Sequence, residues 1–261
     1  MTAAGLVLLS TLASTASAGF TGHTRNSGWS FTVGQWSQPY VDAVLADAPQ
    51  VFWLVDETAG TSTAQDRSGN KSLGSYKAAA VLGRPGGLPS NPGTSLSTSG
   101  GLALTSANPT TTASSHTMEL WFRTASQAGG YLAGFGTSAT TGIPTYEDRV
   151  VRLTPTGRIT YGDWANGGVN IITTPAGYTD NAWHHVVVVS TPANGGRENS
   201  VVYVDGVARA SGQTSKVDSF SGYVRVGGGS GTAAFSGFID NVSVYGTALS
   251  AQRVAAHWAA R

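Results

Sequence analysis

The feature that most limits what this chain can fold into is a pair of strongly β-forming runs near residue 190. The first run, Asp180–Ser190, contains the apolar stretch Val186–Val189, and the second, Val201–Val204, ends at the dipeptide Asp205-Gly206. Asp-Gly tolerates the positive φ values of a tight type I′ turn, so a turn between strands is predicted there. Because Val186–Val189 is apolar on both faces, we expect this strand in the middle of a two-layer sandwich.

The same β pattern extends over most of the chain. Short apolar or alternating runs are divided by Gly, Pro, Asn and Asp, as in Leu120–Phe122. Val150–Leu153 and Arg158–Tyr161 flank the turn sequence Thr154-Pro-Thr-Gly157 in the same way. This arrangement is typical of an all-β domain.

Two short helices are expected, one before and one after the β region. Pro39 is a favourable first helical residue, and Pro49 prevents that helix from continuing. Near the C-terminus, Ser250 can cap a helix over Ala251–Ala260 by accepting a hydrogen bond from a backbone N–H.

Composition excludes several classes of function. The chain has 261 residues, a length that suits one large β domain, and charged residues make up only 11% of them, against an ordinary ~25%. The formal net charge is +1 and the basic residues are scattered, which does not favour nucleic acid or an anionic membrane as a partner. Cys is absent, so no disulfide stabilises the fold.

The N-terminus has the pattern of an exported protein. Leu6–Leu9 is an apolar run too short to span a bilayer, which takes about 20 residues. Ala16-Ser-Ala18 behind it gives the small-x-small pattern of a cleavage site. We therefore expect residues 1–18 to be a signal peptide and the protein to be secreted or associated with the cell surface. Residues 19–38 are expected to form a flexible or edge-strand segment.

Several short motifs follow one another in a set order. They include Trp183-His-His185, Tyr203-Val-Asp-Gly206, Ile239-Asp-Asn-Val242 and, upstream, Asp66-Arg-Ser-Gly-Asn70. In this order they resemble the laminin-G-like and concanavalin-A-like jelly-roll family, over roughly residues 40–261. The resemblance implies a two-sheet antiparallel jelly-roll sandwich.

On the same resemblance, one domain covers residues 39–261. A poor strand pair is expected around Ser95–Leu104, inside a stretch rich in Gly, Pro, Ser and Thr.

The resemblance also implies a structural calcium site. Relatives commonly hold Ca²⁺ at the positions of Asp66 and Asp240, with backbone oxygens near Asn70 and Gly74 assisting, and oxygen ligands are what Ca²⁺ prefers. The alternative interpretation is that Asp66 closes an Asx-turn on its own backbone and that Asp240 pairs with an arginine.

A ligand-binding loop is expected at Tyr161, Asp163, Trp164 and Asn166. An indole ring can lie against the apolar face of a sugar, while Asp and Asn supply hydrogen-bond partners. The alternative is that Trp164 packs under its own loop. Tyr131, Tyr146 and Tyr178 are weaker candidates for the same rim.

No catalytic residues are predicted. Glycan-cleaving jelly rolls need two facing carboxylates, and no such spacing is found among the four glutamates of the chain, which are Glu57, Glu119, Glu147 and Glu198. His184 and His185 are adjacent on a strand and so point to opposite faces, which prevents them from chelating one ion. His23, His116 and His257 have no partner at a suitable spacing and are expected to be ordinary.

The expected function is binding or adhesion. The chain is interpreted as a secreted, non-catalytic, calcium-assisted module that recognises a carbohydrate or an extracellular protein surface. One alternative is a polysaccharide-active jelly-roll enzyme that uses Glu147 or Asp148. The other is a structural cell-surface or fibre subunit, because Ala18–Gly22 and Asn26–Gly34 resemble the start of camelysin/TasA-type secreted proteins.

Overall fold

The structure is a computed structural model that describes residues 23–26, 29–32, 38–162, 171–214, 219–229 and 235–261. The chain divides into two compact units, Met1–Ser37 and Gln38–Arg261. In the first unit β1 (His23–Asn26) pairs antiparallel with β2 (Trp29–Thr32). The described residues of the second unit begin with α1 (Pro39–Ala46) and end with α2 (Ala251–Ala259) followed by two residues.

Seventeen strands lie between these helices in the part of the chain that the structure describes. In order they are β3 (Val51–Trp53), β4 (Thr63–Ala64), β5 (Gly74–Tyr76), β6 (Ala80–Pro85), β7 (Thr94–Ser99), β8 (Leu104–Ser106), β9 (Thr110–Thr112), β10 (His116–Arg123), β11 (Gly130–Gly136), β12 (Glu147–Leu153), β13 (Arg158–Gly162), β14 (Ile172–Gly177), β15 (Trp183–Ala193), β16 (Arg197–Val204), β17 (Val207–Thr214), β18 (Phe220–Val226) and β19 (Ser236–Tyr245).

These strands form two antiparallel sheets. The eight-stranded sheet has the order β17-β16-β15-β10-β19-β7-β6, with β3 also paired to β19. The nine-stranded sheet has the order β14-β13-β12-β11-β18-β8-β5-β4, with β9 also paired to β18. Neighbours that are distant in sequence, such as β10 and β19, are what a jelly roll requires. The predicted two-sheet antiparallel sandwich is confirmed.

The prediction of a strand pair around Ser95–Leu104 is wrong. β7 belongs to the eight-stranded sheet and β8 to the nine-stranded sheet, so the two strands do not pair with each other. Gly100 and Gly101 lie between them with φ of +125° and +92°, conformations that favour glycine and allow the chain to cross from one sheet to the other.

The main core lies between the two sheets, and a second apolar layer covers the outer face of the eight-stranded sheet. β15 contributes to both, as its apolar run predicted: Val186 and Val188 belong to the main core, and Val187 and Val189 to the outer layer. The outer layer is completed by side chains of α1, of α2 and of neighbouring strands, among them Tyr40, Val44, Trp121, Tyr245 and Val254.

The structure confirms two local predictions, the turn at Asp205-Gly206 and the start of α2 after Ser250. Asp205 and Gly206 have φ of +55° and +75°, and Val204 pairs with Val207 across them, which is the geometry of a type I′ hairpin turn. A Cβ on Gly206 would lie 2.9 Å from the Trp258 side chain, so packing also requires glycine there. The Ser250 hydroxyl accepts a hydrogen bond from the Arg253 N–H at 3.2 Å, which confirms the predicted cap of α2.

Candidate functional site

Tyr161, the first residue of the predicted ligand loop, is buried at the end of β13. Its side chain is 2% exposed, and its hydroxyl lies 2.8 Å from Nε2 of His116 and 3.2 Å from Oγ of Ser190. A ring in this position cannot lie against a ligand at the surface, so the predicted role of Tyr161 is corrected to that of a core residue. Asp163, Trp164 and Asn166 lie outside the described residues.

The hydroxyl of Tyr161 belongs to a polar cluster that joins the two sheets. His116 comes from β10 in one sheet, Arg149 from β12 in the other, and Arg149 Nε lies 3.4 Å from His116 Nδ1. Glu198 of β16 approaches both, with Oε1 3.6 Å from His116 Nδ1 and 3.7 Å from Arg149 NH2. Burial, together with the charge of Arg149, lowers the pKa of His116 to about 3, so this imidazole is neutral near pH 7.

Asp66, the first predicted calcium ligand, uses its carboxylate to close its own loop. Oδ1 accepts hydrogen bonds from the backbone N–H groups of Phe52 and Ser68, both at 3.0 Å. Oδ2 accepts from the Ser68 hydroxyl at 2.7 Å and from the Ser72 N–H at 2.9 Å. The bond to Ser68 N–H is an Asx-turn, the alternative that the sequence left open.

Asn70 and Gly74 also have structural surroundings. The Asn70 side-chain amide donates to the carbonyls of Pro49 and Gln50, at 2.9 and 3.3 Å. Gly74 is buried in β5, where a Cβ would lie 2.8 Å from Leu104 Cδ1 and 2.9 Å from Ala64 Cβ, so the position is a close-packing site in the core.

Asp240, the fourth predicted ligand, lies in a different environment from Asp66. It is buried on β19, where Oδ2 accepts from the Gly87 N–H at 2.9 Å and Oδ1 from the Asn241 side-chain amide at 2.7 Å. Burial and the nearby carboxylate of Asp56 raise the pKa of Asp240 to about 8. Neither an arginine nor Asp66 contacts the Asp240 carboxylate among the described residues.

Oxygen atoms lie close to Gly86 and Gly93, two glycines near Asp240. A Cβ built on Gly86 would lie 2.6 Å from the Gly93 carbonyl oxygen and 3.1 Å from Asp240 Oδ2. A Cβ on Gly93 would lie 3.5 Å from Asp56 Oδ2 and 3.7 Å from Asn91 Oδ1. Burial and the neighbouring Glu57 raise the pKa of Asp56. Two carboxylates, a carbonyl and an amide oxygen therefore lie around one pair of glycines. The described residues contain no group of three or more His, Cys, Asp or Glu side chains arranged for a metal ion.

A second charged cluster, which sequence reasoning missed, lies under the two helices. Glu119 of β10 is 0% exposed, yet its carboxylate contacts Tyr40 Oη at 2.8 Å, Tyr245 Oη at 2.7 Å, His185 Nε2 at 2.7 Å and His257 Nδ1 at 3.0 Å. Burial acts to raise the pKa of Glu119, but the hydrogen bonds and charges of His185 and His257 outweigh it, so this pKa lies well below its ordinary value. The histidines of this cluster come from β15 and α2, and 72 positions separate them in the sequence, so no local motif could have revealed the contact.

His184, the neighbour of His185, bridges two carboxylates near the surface. Nε2 lies 3.0 Å from Asp180 Oδ1 and Nδ1 lies 2.9 Å from Asp205 Oδ2. Burial acts to lower the pKa of His184, but these two carboxylates outweigh it and the pKa is raised. The two histidines thus point to opposite faces, as the strand geometry predicted.

The outer face of the nine-stranded sheet has a third set of charged side chains. Glu147 and Arg152, both on β12 and both buried, form an ion pair of 2.8 Å, and the Arg152 guanidinium lies 5.2 Å from the ring centre of Tyr131. Arg225 of β18 is also buried and donates to three carbonyls of the loop 137–146 that connects β11 to β12. This loop therefore has a fixed path at the ends of the interior strands β11 and β12.

The glutamates do not form a pair suited to hydrolysis. Glu119, Glu147 and Glu198 are buried and contact basic side chains, while Glu57 accepts hydrogen bonds from the Gln65 N–H at 2.7 Å and from the Tyr76 hydroxyl. An acid and a nucleophile of a glycosidase must both reach the scissile bond.

No helix in the described residues is both long enough and apolar enough to cross a membrane.

Comparison with solved structures reveals the same fold in carbohydrate-related proteins. The botulinum neurotoxin serotype D ligand-binding domain, solved with N-acetylneuraminic acid, has a TM-score of 0.58 at 12% identity, with 84% of this chain and 52% of that chain covered. Trypanosoma rangeli sialidase, solved with sialic acid, has a TM-score of 0.54 at 14% identity, covering 84% and 36%. This chain thus spans between about a third and a half of those proteins.

Domain 4 of an extracellular arabinanase from Geobacillus stearothermophilus, solved with arabinotriose, matches over most of its length. The TM-score is 0.53 at 15% identity, with 80% of this chain and 97% of that chain covered. Identities this low show the fold and nothing more. No curated protein sequence matches the chain.

A family model assigns the chain independently of these structures. The Laminin_G_3 model, described as the concanavalin A-like lectin/glucanases superfamily, matches residues 96–255, which is more than half of the chain. The matched range includes β10, β15 and β19, which form the centre of the eight-stranded sheet. The chain belongs to the concanavalin A-like lectin/glucanases superfamily.

Proposed function

We propose that this protein is a secreted, non-catalytic carbohydrate-binding module. The observation that supports this most is the sandwich itself, which is shared with a ligand-binding domain solved with N-acetylneuraminic acid and an arabinanase domain solved with arabinotriose. The glutamates support binding without cleavage, because three of the four are buried in ion pairs with basic side chains. Secretion is part of the same proposal and is supported by the leader pattern of residues 1–18.

A glycan array tests this proposal directly. The full chain, labelled and applied to immobilised oligosaccharides, is expected to be retained by one class of sugar. A heat-unfolded sample on the same array is the control for non-specific adsorption. Retention on no glycan, together with ordered polymers in solution, would instead favour the structural fibre subunit.

Calcium belongs to the same proposal, with a revised set of ligands. Asp240 and Asp56 would hold the ion, assisted by the Gly93 carbonyl, because their oxygens surround the glycine pair described above. Asp66 is excluded from this set, since each of its oxygens already accepts two hydrogen bonds, from Phe52, Ser68 and Ser72. An ion that bound this site in the folded protein and not in the unfolded chain would stabilise the fold.

The melting temperature measured in EDTA and in millimolar calcium tests this site. At about one hundred times its Kd, calcium is expected to add roughly 2.7 kcal/mol to the free energy of unfolding. Asp240→Asn is expected to abolish that increment, whereas the control Asp66→Asn lowers stability but keeps it. An unchanged melting temperature in calcium would refute the calcium site and leave the sugar-binding proposal standing.

A further inference from the structure

We propose that the loop 137–146, with Ile143 and Tyr146 exposed on it, is a preformed contact surface for a neutral polysaccharide. The inference rests on the proposed carbohydrate-binding function and adds to it a location and a class of sugar. Three properties of the loop support this inference: a fixed backbone, exposed apolar side chains and the absence of charged side chains.

The backbone of this loop is fixed from below by one buried side chain. Arg225 NH1 donates to the carbonyls of Ser138 at 2.6 Å and Thr140 at 2.9 Å, and NH2 donates to the carbonyl of Gly142 at 3.1 Å. Hydrogen bonds from a charged donor are among the stronger ones in proteins. A loop tied at alternate residues in this way loses little conformational freedom when a ligand binds.

The two ends of the loop are also joined. Thr137 N–H donates to the Tyr146 carbonyl at 3.1 Å, and Tyr146 N–H donates to the Thr137 hydroxyl at 3.3 Å. Pro144 is buried between the exposed residues, where a Cβ on Gly136 would lie 3.1 Å from it. Pro144 therefore packs down on the sheet and leaves Ile143 and Tyr146 facing outward.

Ile143 and Tyr146 are the most exposed large apolar side chains in the described part of the chain. Ile143 is 77% exposed and Tyr146 is 54% exposed, and only two residues separate them. Single exposed apolar residues are common on protein surfaces, whereas these two lie close together in sequence on one loop whose backbone is fixed. Tyr223, half-buried and paired with Gly136 at the start of the loop, adds a second tyrosine beside it.

The absence of charge identifies the class of ligand. The loop sequence, Thr-Ser-Ala-Thr-Thr-Gly-Ile-Pro-Thr-Tyr, contains no ionisable group other than the tyrosine phenol. The guanidinium of Arg225 is buried beneath it and directed at carbonyls, so it cannot neutralise an anionic sugar. An acidic glycan would lose hydration here without gaining a counter-charge.

A neutral sugar matches both properties of the loop. Its C–H face is apolar and can lie against the tyrosine ring, as aromatic side chains allow. Its hydroxyl groups can exchange hydrogen bonds with the exposed hydroxyls of the loop, such as those of Ser138 and Thr140, which lie 2.8 Å from each other. The geometry thus fits a neutral polysaccharide chain crossing the loop.

Affinity electrophoresis through gels that contain one polysaccharide tests the inference. The full chain is run in gels with linear arabinan, xylan or soluble β-glucan as neutral probes and polygalacturonate as the acidic probe. We expect retardation by at least one neutral polymer and none by polygalacturonate. Tyr146→Ala is expected to weaken the neutral interaction at least tenfold, about 1.4 kcal/mol at 25 °C, and Ile143→Ala to weaken it less.

Val207→Ala is the matched control. Val207 is 49% exposed on the hairpin between β16 and β17, so its loss tests exposed apolar surface in general, and this variant is expected to bind as the parent does. Thermal unfolding of each variant checks that the fold is intact. The melting temperature is expected to equal that of the parent, because the side chains at positions 143 and 146 are exposed.

The outcomes separate the two proposals. Unchanged glycan binding by Tyr146→Ala, or binding of polygalacturonate in preference to the neutral polymers, would overturn the loop assignment while leaving the carbohydrate-binding function in place. No retardation by any of the four polymers, with silence on the glycan array, would overturn the function itself and this inference with it.

Discussion

At the scale of single residues, the carboxylate of Glu119 joins more parts of the molecule than its sequence context suggests. It accepts hydrogen bonds from side chains of α1, β15, β19 and α2 while it is fully buried on β10. A buried charge is stable only when it is paired and hydrogen-bonded. The four contacts of Glu119 meet that condition, so the cluster acts as an anchor between sheet and helices.

Replacing Glu119 with glutamine is expected to lower the free energy of unfolding by about 3 kcal/mol, because it removes the charge that the two histidines contact in a buried site. Urea denaturation at pH 7 measures the loss. The matched control is Asp42→Asn, an exposed acid in the first turn of α1, with an expected effect within about 0.5 kcal/mol. Equal losses in the two variants would contradict the anchoring role.

The lowered pKa of His116 predicts that the protein loses stability in acid. Its pKa is about 3 in the folded protein and about 6.5 when unfolded, so between these values the unfolded chain binds more protons and stability falls as pH falls. Each such proton contributes up to about 1.4 kcal/mol per pH unit. The free energy of unfolding, measured by denaturation at several pH values from 6.5 to 4, should therefore fall less steeply with pH for His116→Gln than for the parent protein.

His184 supplies a control of opposite sign. The pKa of His184 is raised, so its contribution is present in acid and is lost as pH rises through the folded pKa. His184→Gln should therefore lose most stability, relative to the parent, in the acidic part of the same curves. Identical slopes for both variants would show that neither histidine has the surroundings described.

The sequence allowed some residue roles to be predicted and concealed others. Asp66 was expected to bind calcium, with an Asx-turn as the alternative, and the structure shows the Asx-turn, a local pattern that spans only two residues. Tyr161 was expected at the surface but is buried, because its side chain belongs to the core between the sheets, which the polar loop after it did not reveal. Glu119, His257 and Arg225 gave no signal, since their partners are brought together only by the topology of the sheets.

At the scale of elements, α2 is attached to the sandwich through its histidine. His257 Nδ1 contacts Glu119 at 3.0 Å and Nε2 lies 2.8 Å from Asp47 Oδ2, just after α1. Arg253, one turn earlier on α2, also reaches Asp47, with Nε 2.9 Å from Oδ2. A short helix has little stability of its own, so these contacts and its apolar face hold it in place.

The docking of α2 is expected to weaken in alkaline solution. Burial acts to lower the pKa of His257, but Glu119 and Asp47 outweigh it and the folded pKa is raised. The stabilisation that protonated His257 provides is therefore fully present below about pH 6.5, the pKa of a histidine in the unfolded chain. It is lost as pH rises through the pKa of His257 in the folded protein. His257→Gln should differ most from the parent near pH 6, and the difference in denaturation midpoint should shrink toward pH 9.

Trp258→Phe is the control for this element. It changes packing on the same helix without removing a titrating group, so its deficit is expected to stay constant with pH. A difference between His257→Gln and the parent that grows toward pH 9 would contradict the assigned direction of the pKa shift.

Strands and helices were more predictable than sites. The type I′ turn at Asp205-Gly206, the cap at Ser250 and the two-faced apolar run of β15 are local signals, and the structure confirms each. The separation of β7 and β8 into different sheets was missed, because a Gly-Gly pair permits either a hairpin or a crossing between layers. Pairing across layers depends on distant strands, which a local pattern does not specify.

At the scale of the whole molecule, the proposed activity depends on a sandwich that presents loops and keeps three of its four glutamates buried in internal contacts. The fold places Glu147 and Arg152 on the outer face of the nine-stranded sheet, but as a buried ion pair. Folds of this kind serve many functions, so the ligand must be decided by surface chemistry.

Binding without cleavage is the central claim, and one experiment measures both properties at once. The full chain is incubated with the neutral polysaccharide that retards it most, and the bound protein and newly formed reducing ends are quantified in the same sample over a day. We expect saturable binding and a reducing-end count equal to that of the polymer without protein. A steady release of reducing ends that Glu147→Gln eliminates would contradict it.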